Sequence, residues 1–553
     1  MQQTRPGHTV TVQDAPPSGL RIDDLTPTER SLLAHATTDV GRTLDMRGAG
    51  PTESRIRAAA IAWILTRQPT EQEPPPIAVR VRGVNVVGRL NLGGRRLPCP
   101  LELIDCTLDA PLVLTKTTAP NISLRGSRLR GLYGNPLQVS GTLNLGEGFH
   151  CIGPTKLFRA DLGELAAERG VFENPGGFAV NADYLHVRGF ATFERARLLG
   201  TLRMLGARVD GQLDCTAAQI SAPAGENAVE LDSATLTGGA VFSSALIHGG
   251  IWLVNTTANA EVAFERATIR NPGRYAIDAS ATRMGDVNLT EAVVRGEVEI
   301  VRAELDTLDC YHAGFLDPRD ASLDLDSTTI AGPFHAHFSK IEGRLDLTNT
   351  SIGILRDTQR SWPPSAHLIG ARYDKIEGDE DALDADKSLS KARLQWLKLH
   401  DRYHPQKYTA LATAYQNVGQ EALARQAAIA GEHERRMSNK KGARRGLAWT
   451  WSTLLRLLVG YGYAPTRALW WLIGLIVGGS VLTAWAHTPR LKTPPCPGSS
   501  SPYPGSWHDG PKARKMPSRA PASSTPCRSE HTLPTKYPTQ RCDSSSERGR
   551  TIR

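Results

Sequence analysis

A short internal repeat fills the middle of the chain and restricts its fold more than any other feature. In the segment 189–220, large apolar residues recur at alternating steps of five and six residues. These residues are Phe193, Leu198, Met204, Val209, Cys215 and Ile220. Since residues two apart point to the same side of a strand, each large residue and the residue two before it would both point inward. The stepping persists across most of residues 81–354.

A longer period overlies the short one. Val180, Val229, Ile277 and Leu323 occupy equivalent places, at spacings of 49, 48 and 46 residues. Proline-containing pairs precede three of these blocks, which predicts loops at one equivalent corner. The pairs are Asn174-Pro175, Asn271-Pro272 and Asp317-Pro318.

These periods predict a mainly β fold, a right-handed parallel β-helix over residues 81–354. Two units, about 22 residues, would complete one coil, with glycine or small residues at the corners. Stacked coils align their apolar rows into a continuous core. Residues 155–175 read as a break in the coil with helical character. An antiparallel sandwich of alternating strands is the alternative.

The pattern resembles the pentapeptide-repeat family, whose consensus is A-(D/N)-L-x-x. The resemblance covers about half the chain. Its small-then-large pairs are Ala196/Leu198, Ala207/Val209, Ala267/Ile269, Ala292/Val294 and Ala303/Leu305. The family steps by five, whereas this chain steps by five and six and inserts loops. An irregular β-helix and a four-sided solenoid are therefore both open.

The flanking segments differ in composition from the repeat. Residues 1–24 are polar and rich in proline, which predicts disorder. We expect a helical cap over 25–75, including a helix over 53–67, because open solenoid ends need covers. Residues 388–437 predict a helical hairpin that packs onto the last coil.

A membrane anchor is predicted after the hairpin. Residues 438–467 are basic and aromatic, as suits a membrane interface. The segment 468–486 has 19 residues without charge, enough for a transmembrane helix in a lipid bilayer. The expected anchor residues are Trp470, Trp471, Trp485, Arg435, Arg436, Lys440, Lys441, Arg444 and Arg445. The basic cluster predicts a single-pass cell-membrane protein with a cytoplasmic solenoid.

Two further expectations concern the end of the chain. Gly474 and Gly478 form a G-x-x-x-G pattern, which allows a homodimer through the helix. Residues 487–553 are rich in Pro, Ser, Thr and Arg and predict a disordered tail, with 12 Lys and Arg against 4 Asp and Glu. The abrupt change of composition after Ala486 suggests an altered reading frame.

The sequence offers little catalytic chemistry. It contains none of the fingerprints for dinucleotides, phosphate loops, zinc proteases or serine hydrolases, so we assign no catalytic residue and no cofactor. His335 and His337 alternate around Ala336 and are weak metal candidates, although surface histidines are the simpler interpretation. Cys215 and Cys310 fall on inward positions, which is typical of small core residues.

Charge is distributed unevenly. The whole chain carries +9, but residues 210–352 hold 21 Asp and Glu against 9 Lys and Arg. Some pentapeptide-repeat proteins present an acidic rod that mimics DNA and occupies a DNA enzyme, which supplies one binding hypothesis. The individual carboxylates read as a solvated face: Asp210, Asp214, Glu297, Glu299, Asp324 and Asp326.

The whole arrangement also resembles large bacterial membrane-anchored repeat proteins, in which a Gly-Tyr-Gly-Tyr segment precedes a membrane helix. Here that segment is 460–463. The group is often labelled membrane-associated oxidoreductase, which implies a redox enzyme as the alternative. The sequence itself favours a non-catalytic, membrane-anchored scaffold that binds an unidentified protein and no nucleic acid.

Overall fold

The structure, a computed structural model, describes most of the chain between residues 20 and 486. The described ranges are 20–38, 42–67, 74–223, 226–317, 321–377, 386–399, 404–438 and 465–486. The predicted disordered N-terminus lies outside them except for a 3₁₀ turn at Ile22–Asp24 and its neighbours. The predicted tail 487–553 lies wholly outside them.

Two β-sheets run along the solenoid and enclose one apolar core, and their strands pair in parallel. Sheet 1 consists of Leu44–Asp45, Val79–Arg82, Leu101–Ile104, Thr117–Ala119, Ile122–Ser123, Leu137–Asn144, Asp161–Ala166, His186–Val187, Ala191–Thr192, Arg208–Val209, Leu213–Asp214, Thr235–Leu236, Ala240–Val241, Thr257–Ala258, Val262–Ala263, Arg283–Asn288, Glu304–Asp309, Thr329–Ala336, Ser351–Asp357 and Arg372–Glu377.

Sheet 2 has the same parallel arrangement. It consists of Arg55–Arg57, Asn85–Val87, Thr107–Leu108, Leu112–Val113, Arg128–Leu129, Leu132–Tyr133, His150–Ile152, Thr155–Lys156, Val171–Asn181, Arg197–Arg203, Gln219–Ser221, Asn227–Glu230, Leu246–His248, Gly250–Trp252, Thr268–Asp278, Val293–Glu299, Gly314–Phe315, Ala321–Asp324, Lys340–Ile341, Arg344–Asp346 and Ser365–His367. The strands of the two sheets begin before residue 81 and continue past residue 354.

One inward column of sheet 2 shows how the turns stack. Its members pair across successive turns at intervals of 21 to 27 residues. They are Leu132, Thr155, Val180, Leu202, Val229, Ile251, Ile277, Val298, Leu323, Leu345 and Ala366. The predicted alignment of Val180 with Val229, Ile277 and Leu323 is therefore confirmed, on every second turn of a solenoid of about 13 turns.

Each turn is built from four short segments. One turn places His186–Val187 and Ala191–Thr192 in sheet 1, then Arg197–Arg203 in sheet 2. That last strand bends at Gly200, and its two halves pair with different strands of the next turn. This arrangement is consistent with the resemblance to pentapeptide-repeat solenoids, while the right hand of the coil stays a prediction.

The corners differ from the prediction of glycine or small residues. Many corner residues adopt a left-handed backbone without being glycine, such as Arg195 at φ 53° and Arg266 at φ 55°. Hydrogen bonds hold this conformation: the Arg195 N–H donates to the Thr216 carbonyl of the next turn at 2.8 Å. The Ala196 N–H closes the turn onto Phe193 at 2.9 Å. These bonds offset the roughly 1–2 kcal/mol that the left-handed conformation costs.

Two of the three predicted loops lie at one equivalent corner of sheet 2, whereas the third, after Asp317, continues into residues 318–320, which lie outside the described residues. The pairing register shifts between Glu173 and Phe178, and again between Arg270 and Tyr275. In both loops an asparagine amide closes the excursion: Asn174 Nδ2 donates to the Phe178 carbonyl at 2.8 Å, and Asn271 Nδ2 to the Tyr275 carbonyl at 2.7 Å. The Asn-Pro pairs thus mark one loop motif used twice.

The helical break predicted at 155–175 is wrong. This segment forms strands in both sheets, including Asp161–Ala166 and the start of Val171–Asn181. Leu162, Leu165 and Phe172 are fully buried in the core. The high helix propensity of Leu, Ala and Glu suggested a helix. The segment forms strands instead, because strands bury these apolar residues in the core of the solenoid.

An ion pair with a buried carboxylate joins the N-terminal helices to the first turns. Helix α1 (Pro27–Thr38) begins with a capping box, in which the Glu29 N–H donates to Thr26 Oγ1 at 3.3 Å and the Thr26 N–H donates to Glu29 Oε2 at 2.9 Å. Glu29 is fully buried and bonds Arg57 Nη2 at 2.5 Å. Helix α2 (Ala58–Thr66) starts later than the predicted 53–67, because residues 55–57 pair as a strand with the next turn.

Three helices follow the last turn. They are α3 (Asp386–Leu399), α4 (Pro405–Asn417) and α5 (Glu421–Ser438). Asn417 Nδ2 donates to the Asp374 carbonyl at 2.8 Å, and Arg393 of α3 forms a buried bidentate pair with Asp357. The segment predicted as a helical hairpin thus packs against the end of the solenoid.

Helix α6 (Pro465–Ala486) covers the predicted membrane segment. Its described side chains, 472–485, are all exposed, with exposed fractions of 72% for Leu475 and 79% for Trp485. Within the described part of the chain, no helix is both long enough and apolar enough to cross a bilayer. Residues 478–553 form a second unit, of which only the end of α6 is described.

Candidate functional site: an acidic ladder and the adjoining cleft

Outward residues of sheet 2 stack into a column that is dominated by carboxylates. Each follows a member of the inward column, and consecutive members pair across adjacent strands. We call this column the acidic ladder; it consists of Glu230, Trp252, Asp278, Glu299, Asp324 and Asp346. Adjacent strands lie about 4.8 Å apart. The four successive carboxylates from Asp278 to Asp346 are therefore close neighbours on the surface of the sheet.

Three of these carboxylates also stabilise the backbone. Asp278, Asp324 and Asp346 each accept the N–H of the residue two positions later, at 3.1, 2.9 and 3.0 Å. This is the local bond by which aspartate favours a turn. Glu299 has no such bond to its own backbone; its Oε1 accepts Ser280 Oγ at 3.1 Å. The aspartates therefore have a structural role beside any role in recognition.

Basic groups flank the ladder at its two ends. Arg203 Nη1 lies 3.6 Å from Glu230 Oε2, and His367 Nδ1 lies 2.9 Å from Asp346 Oδ2. Among the described residues, no basic side chain pairs with the three central carboxylates, Asp278, Glu299 and Asp324. The centre of the ladder is therefore a concentrated negative charge.

Burial and neighbouring carboxylates raise the pKa of two aspartates at the ladder and beside it. Burial raises the pKa of Asp324 above its ordinary value, and the charges of Asp346 and Glu299 raise it further, although the Asp326 N–H lowers it. Burial likewise raises the pKa of Asp232 at the neighbouring corner. Both shifts mean that ionisation of these carboxyls works against folding.

We expect Asp324→Asn to stabilise the protein at neutral pH by about 1 kcal/mol, because it removes a charge between two like charges. Asparagine keeps the acceptor for the Asp326 N–H. A raised pKa contributes stability at low pH that is lost as the pH rises through it, so the advantage of the variant should disappear in acid. Thermal unfolding across pH measures this.

Asp214→Asn is the matched control for that prediction. Asp214 accepts the Thr216 N–H at 2.8 Å, the same turn bond, but its strand neighbours are Thr192 and Val241. Its replacement should change the melting temperature little. An equal stabilisation by both variants would contradict the repulsion argument.

A cleft of about 570 Å³ opens beside the ladder. It is lined by the loop at 271–274, by residues 317 and 321, and by outward residues of neighbouring strands of sheet 2. Its lining includes Asn227, Trp252, Asn271, Tyr275, Glu297 and Asp317. Trp252 belongs both to the cleft and to the ladder, so the two features form one continuous surface.

Hydrogen bonds between turns fix the walls of the cleft. The Gly273 N–H donates to Asp317 Oδ2 at 3.3 Å, which connects the loop at 271–274 to a residue two turns further along the chain. Ser322 Oγ donates to the Asp317 carbonyl at 2.8 Å and accepts the Gly343 N–H at 2.8 Å. The cleft is therefore preformed by the backbone.

Tyr275 connects the cleft to the carboxylates. Tyr275 is 39% exposed, and it pairs with Glu297 on the adjacent strand, two residues before Glu299. The Glu299 charge, together with burial, raises the pKa of Tyr275 to about 12. The phenol therefore remains a proton donor, and the site presents aromatic faces beside negative charge.

The two candidate metal ligands lie elsewhere, in sheet 1. His335 and His337 point outward, as predicted, and their ring centroids lie 5.0 and 4.6 Å from the ring of Tyr311. The Nδ1 atoms of both are buried without a hydrogen-bond partner, and burial lowers the pKa of His335. Among the described side chains, no group of three or more ligands could hold a metal ion.

The described cysteines are buried members of the core. They are Cys99, Cys106, Cys151, Cys215 and Cys310. Burial raises the pKa of Cys106 and of Cys151 to about 11, and it raises the pKa of Cys310 strongly. Thiols of this kind remain protonated and unreactive at neutral pH.

Some of the remaining predicted residues lie within the described part of the chain and others lie outside it. Asp210 directly follows the sheet 1 strand Arg208–Val209 and is hydrogen-bonded to His186 Nε2 at 3.0 Å. Arg435 bonds Glu432 at 3.1 Å on the surface of α5. Gly474 and Gly478 have open space around them. Trp485 is described and exposed. The side chains of the other predicted anchor residues lie outside the described part of the chain: Trp470, Trp471, Arg436, Lys440, Lys441, Arg444 and Arg445.

Comparisons with known proteins identify no relative. No protein-family model matches the chain, and no curated protein matches it significantly. The fold and the site therefore carry the functional argument.

Proposed function

We propose that this protein is a non-catalytic scaffold whose acidic ladder recruits a protein with a basic surface. The observation that carries the proposal is the run of four successive carboxylates from Asp278 to Asp346, of which Glu299 and Asp324 have no basic partner among the described residues. Stacked like charges destabilise a sheet, so the arrangement reduces the stability of the fold. A positively charged partner would relieve that repulsion.

A solenoid suits such a role. Its repeated turns hold the outward side chains in register on a stiff backbone, so a partner meets preformed charges and needs little reorganisation. Electrostatic complementarity of this kind raises the association rate and selects for basic partners, and it weakens with added salt.

We expect charge removal from the ladder to weaken partner capture about tenfold or more. The test variant is Glu230→Gln/Glu299→Gln/Asp324→Asn, in which asparagine preserves the turn bond. The full-length chain is used as bait, and recovery of each captured protein is quantified across a salt series.

The matched control removes the same charge elsewhere. Asp286, Glu291 and Asp306 are exposed carboxylates, two of them in strands of sheet 1. The variant Asp286→Asn/Glu291→Gln/Asp306→Asn should capture partners as the wild type does. Equal losses in both variants would reject the ladder as the binding surface, and a stoichiometric chromophore in the purified protein would contradict a non-catalytic role.

We further propose that α6 attaches the chain to a lipid bilayer. The support is its run of exposed large apolar side chains, among them Leu475, Leu482 and Trp485. Burial of such surface in lipid stabilises attachment by about 25 cal/mol per Å².

Removal of the chain after residue 464 is expected to release the protein from membranes. The full-length chain should remain in the membrane pellet through a carbonate wash, whereas the shortened chain should appear in the supernatant. Folding of the shortened chain is verified by circular dichroism. A full-length chain that the wash releases as completely as the shortened one would contradict attachment through α6.

A further inference from the structure

We propose that the cleft beside the ladder receives an arginine side chain of the partner, stacked on Trp252 and bonded to Asp278. The inference rests on the proposed function and deepens it, because it names the chemical group that the surface recognises. It does not follow from the ladder alone, since it depends on the aromatic floor and on the shape of the cleft.

Trp252 supplies the platform. It is the single aromatic member of the ladder, and it pairs with Glu230 on one adjacent strand and with Asp278 on the other. A cation above an indole face is attracted by the ring, most strongly when carboxylates flank it. The platform also lines the cleft, so a side chain can reach it from solvent.

Asp278, on the strand next to Trp252, has a carboxylate oxygen that can accept a hydrogen bond from the ligand. Both hydrogen bonds to Asp278, from the Ser280 N–H at 3.1 Å and from Ser280 Oγ at 2.7 Å, end on Oδ1. Among the described residues, none donates a hydrogen bond to Asp278 Oδ2. A guanidinium that is stacked on the indole lies parallel to the ring, and its N–H groups point outward in its own plane, where they can reach that oxygen.

The cleft fits the remainder of the ligand. Its volume of about 570 Å³ exceeds that of one side chain, so it also accommodates the backbone of the segment that carries the arginine. Glu230 and Asp278 flank Trp252 with carboxylates on the two adjacent strands, so the platform favours a cationic ligand over a neutral or anionic one.

Calorimetric titration of the full-length protein tests the assignment. The probe is a short Gly-Arg repeat peptide, and its twin carries citrulline, which has the same shape without the charge. We expect the citrulline peptide to bind at least about tenfold more weakly. We expect Trp252→Leu to weaken the arginine peptide about tenfold and Trp252→Phe to retain most of the affinity.

A second variant guards against a folding effect. Asp278→Asn keeps the acceptor for the Ser280 N–H and should still weaken the peptide several-fold. Equal affinity for the two peptides, or unchanged affinity in Trp252→Leu, would overturn the assignment. If Trp252→Leu is without effect while the triple ladder variant loses its partner, the cleft assignment fails and the proposed function stands. If capture of the partner is independent of the ladder, the proposed function fails.

Discussion

Replacement of Asp357 by alanine is expected to lower the free energy of unfolding of the C-terminal end of the solenoid by about 3–5 kcal/mol. Asp357 is 6% exposed and accepts hydrogen bonds from Arg393 Nη1 at 3.0 Å and from Trp362 Nε1 at 3.1 Å. The Trp362 ring lies 5.0 Å from the guanidinium. The variant leaves the Arg393 charge buried without its partner, which is the costly outcome.

Hydrogen exchange and thermal unfolding measure this effect, with two comparisons. Glu377 forms a partly exposed pair with Arg356 at 2.6 Å, and Glu377→Gln should cost less than about 1 kcal/mol. The double variant Asp357→Leu/Arg393→Met removes both charges and should regain most of the loss. If Asp357→Ala loses no more than Glu377→Gln, the buried pair does not hold α3 onto the last turn.

Gly296→Ala is expected to lower the stability of the central turns by about 3 kcal/mol. Gly296 has φ +128°, and an added Cβ would lie 2.7 Å from the Asn271 carbonyl oxygen and 2.8 Å from that of Arg274. Those atoms belong to the loop that forms a wall of the cleft. The same variant should therefore also weaken binding of the arginine peptide.

Gly285→Ala provides the comparison. Gly285 lies in a strand of sheet 1, and its added Cβ would meet nothing closer than 3.4 Å. Its melting temperature should stay near that of the wild type. Similar melting temperatures for both variants would show that the loop over Gly296 adapts freely.

Glycines such as Gly296 explain the long period in the sequence. Gly200, Gly249 and Gly296 lie 49 and 47 residues apart, each with φ near +127°. An added Cβ at Gly200 would lie 2.7 Å from the carbonyl oxygen of Asn174, in the loop of the preceding turn. Turns that carry a loop thus alternate with turns that need a glycine, because the loop of the preceding turn leaves no room for a Cβ there.

The inward columns were predictable because each position obeys two constraints. The alternation of a strand fixes which side chains point inward, and stacking requires apolar residues there in every turn. Thr155 is an exception: it is fully buried in the column between Leu132 and Val180. Corner residues such as Arg195 were not predictable, since backbone hydrogen bonds hold their conformation whatever the side chain.

The position of the ladder is partly visible in the long period of the sequence, although not in its composition. Glu230, Asp278 and Asp324 directly follow aligned residues of the long period. Glu299 and Asp346 belong to the intervening turns, and their register depends on loops whose lengths vary. The cleft was out of reach of the sequence, because it depends on how the loop at 271–274 approaches Asp317, which lies two turns further along the chain.

Site-specific photocrosslinking in living cells tests the central claim most directly. A benzophenone amino acid is placed at position 275, which lines the cleft beside the acidic ladder, or at position 286, on the exposed surface of sheet 1. We predict that position 275 captures a distinct protein, that position 286 does not, and that the triple ladder variant abolishes the product. The same products from both positions, or none from position 275, would contradict a partner-binding ladder.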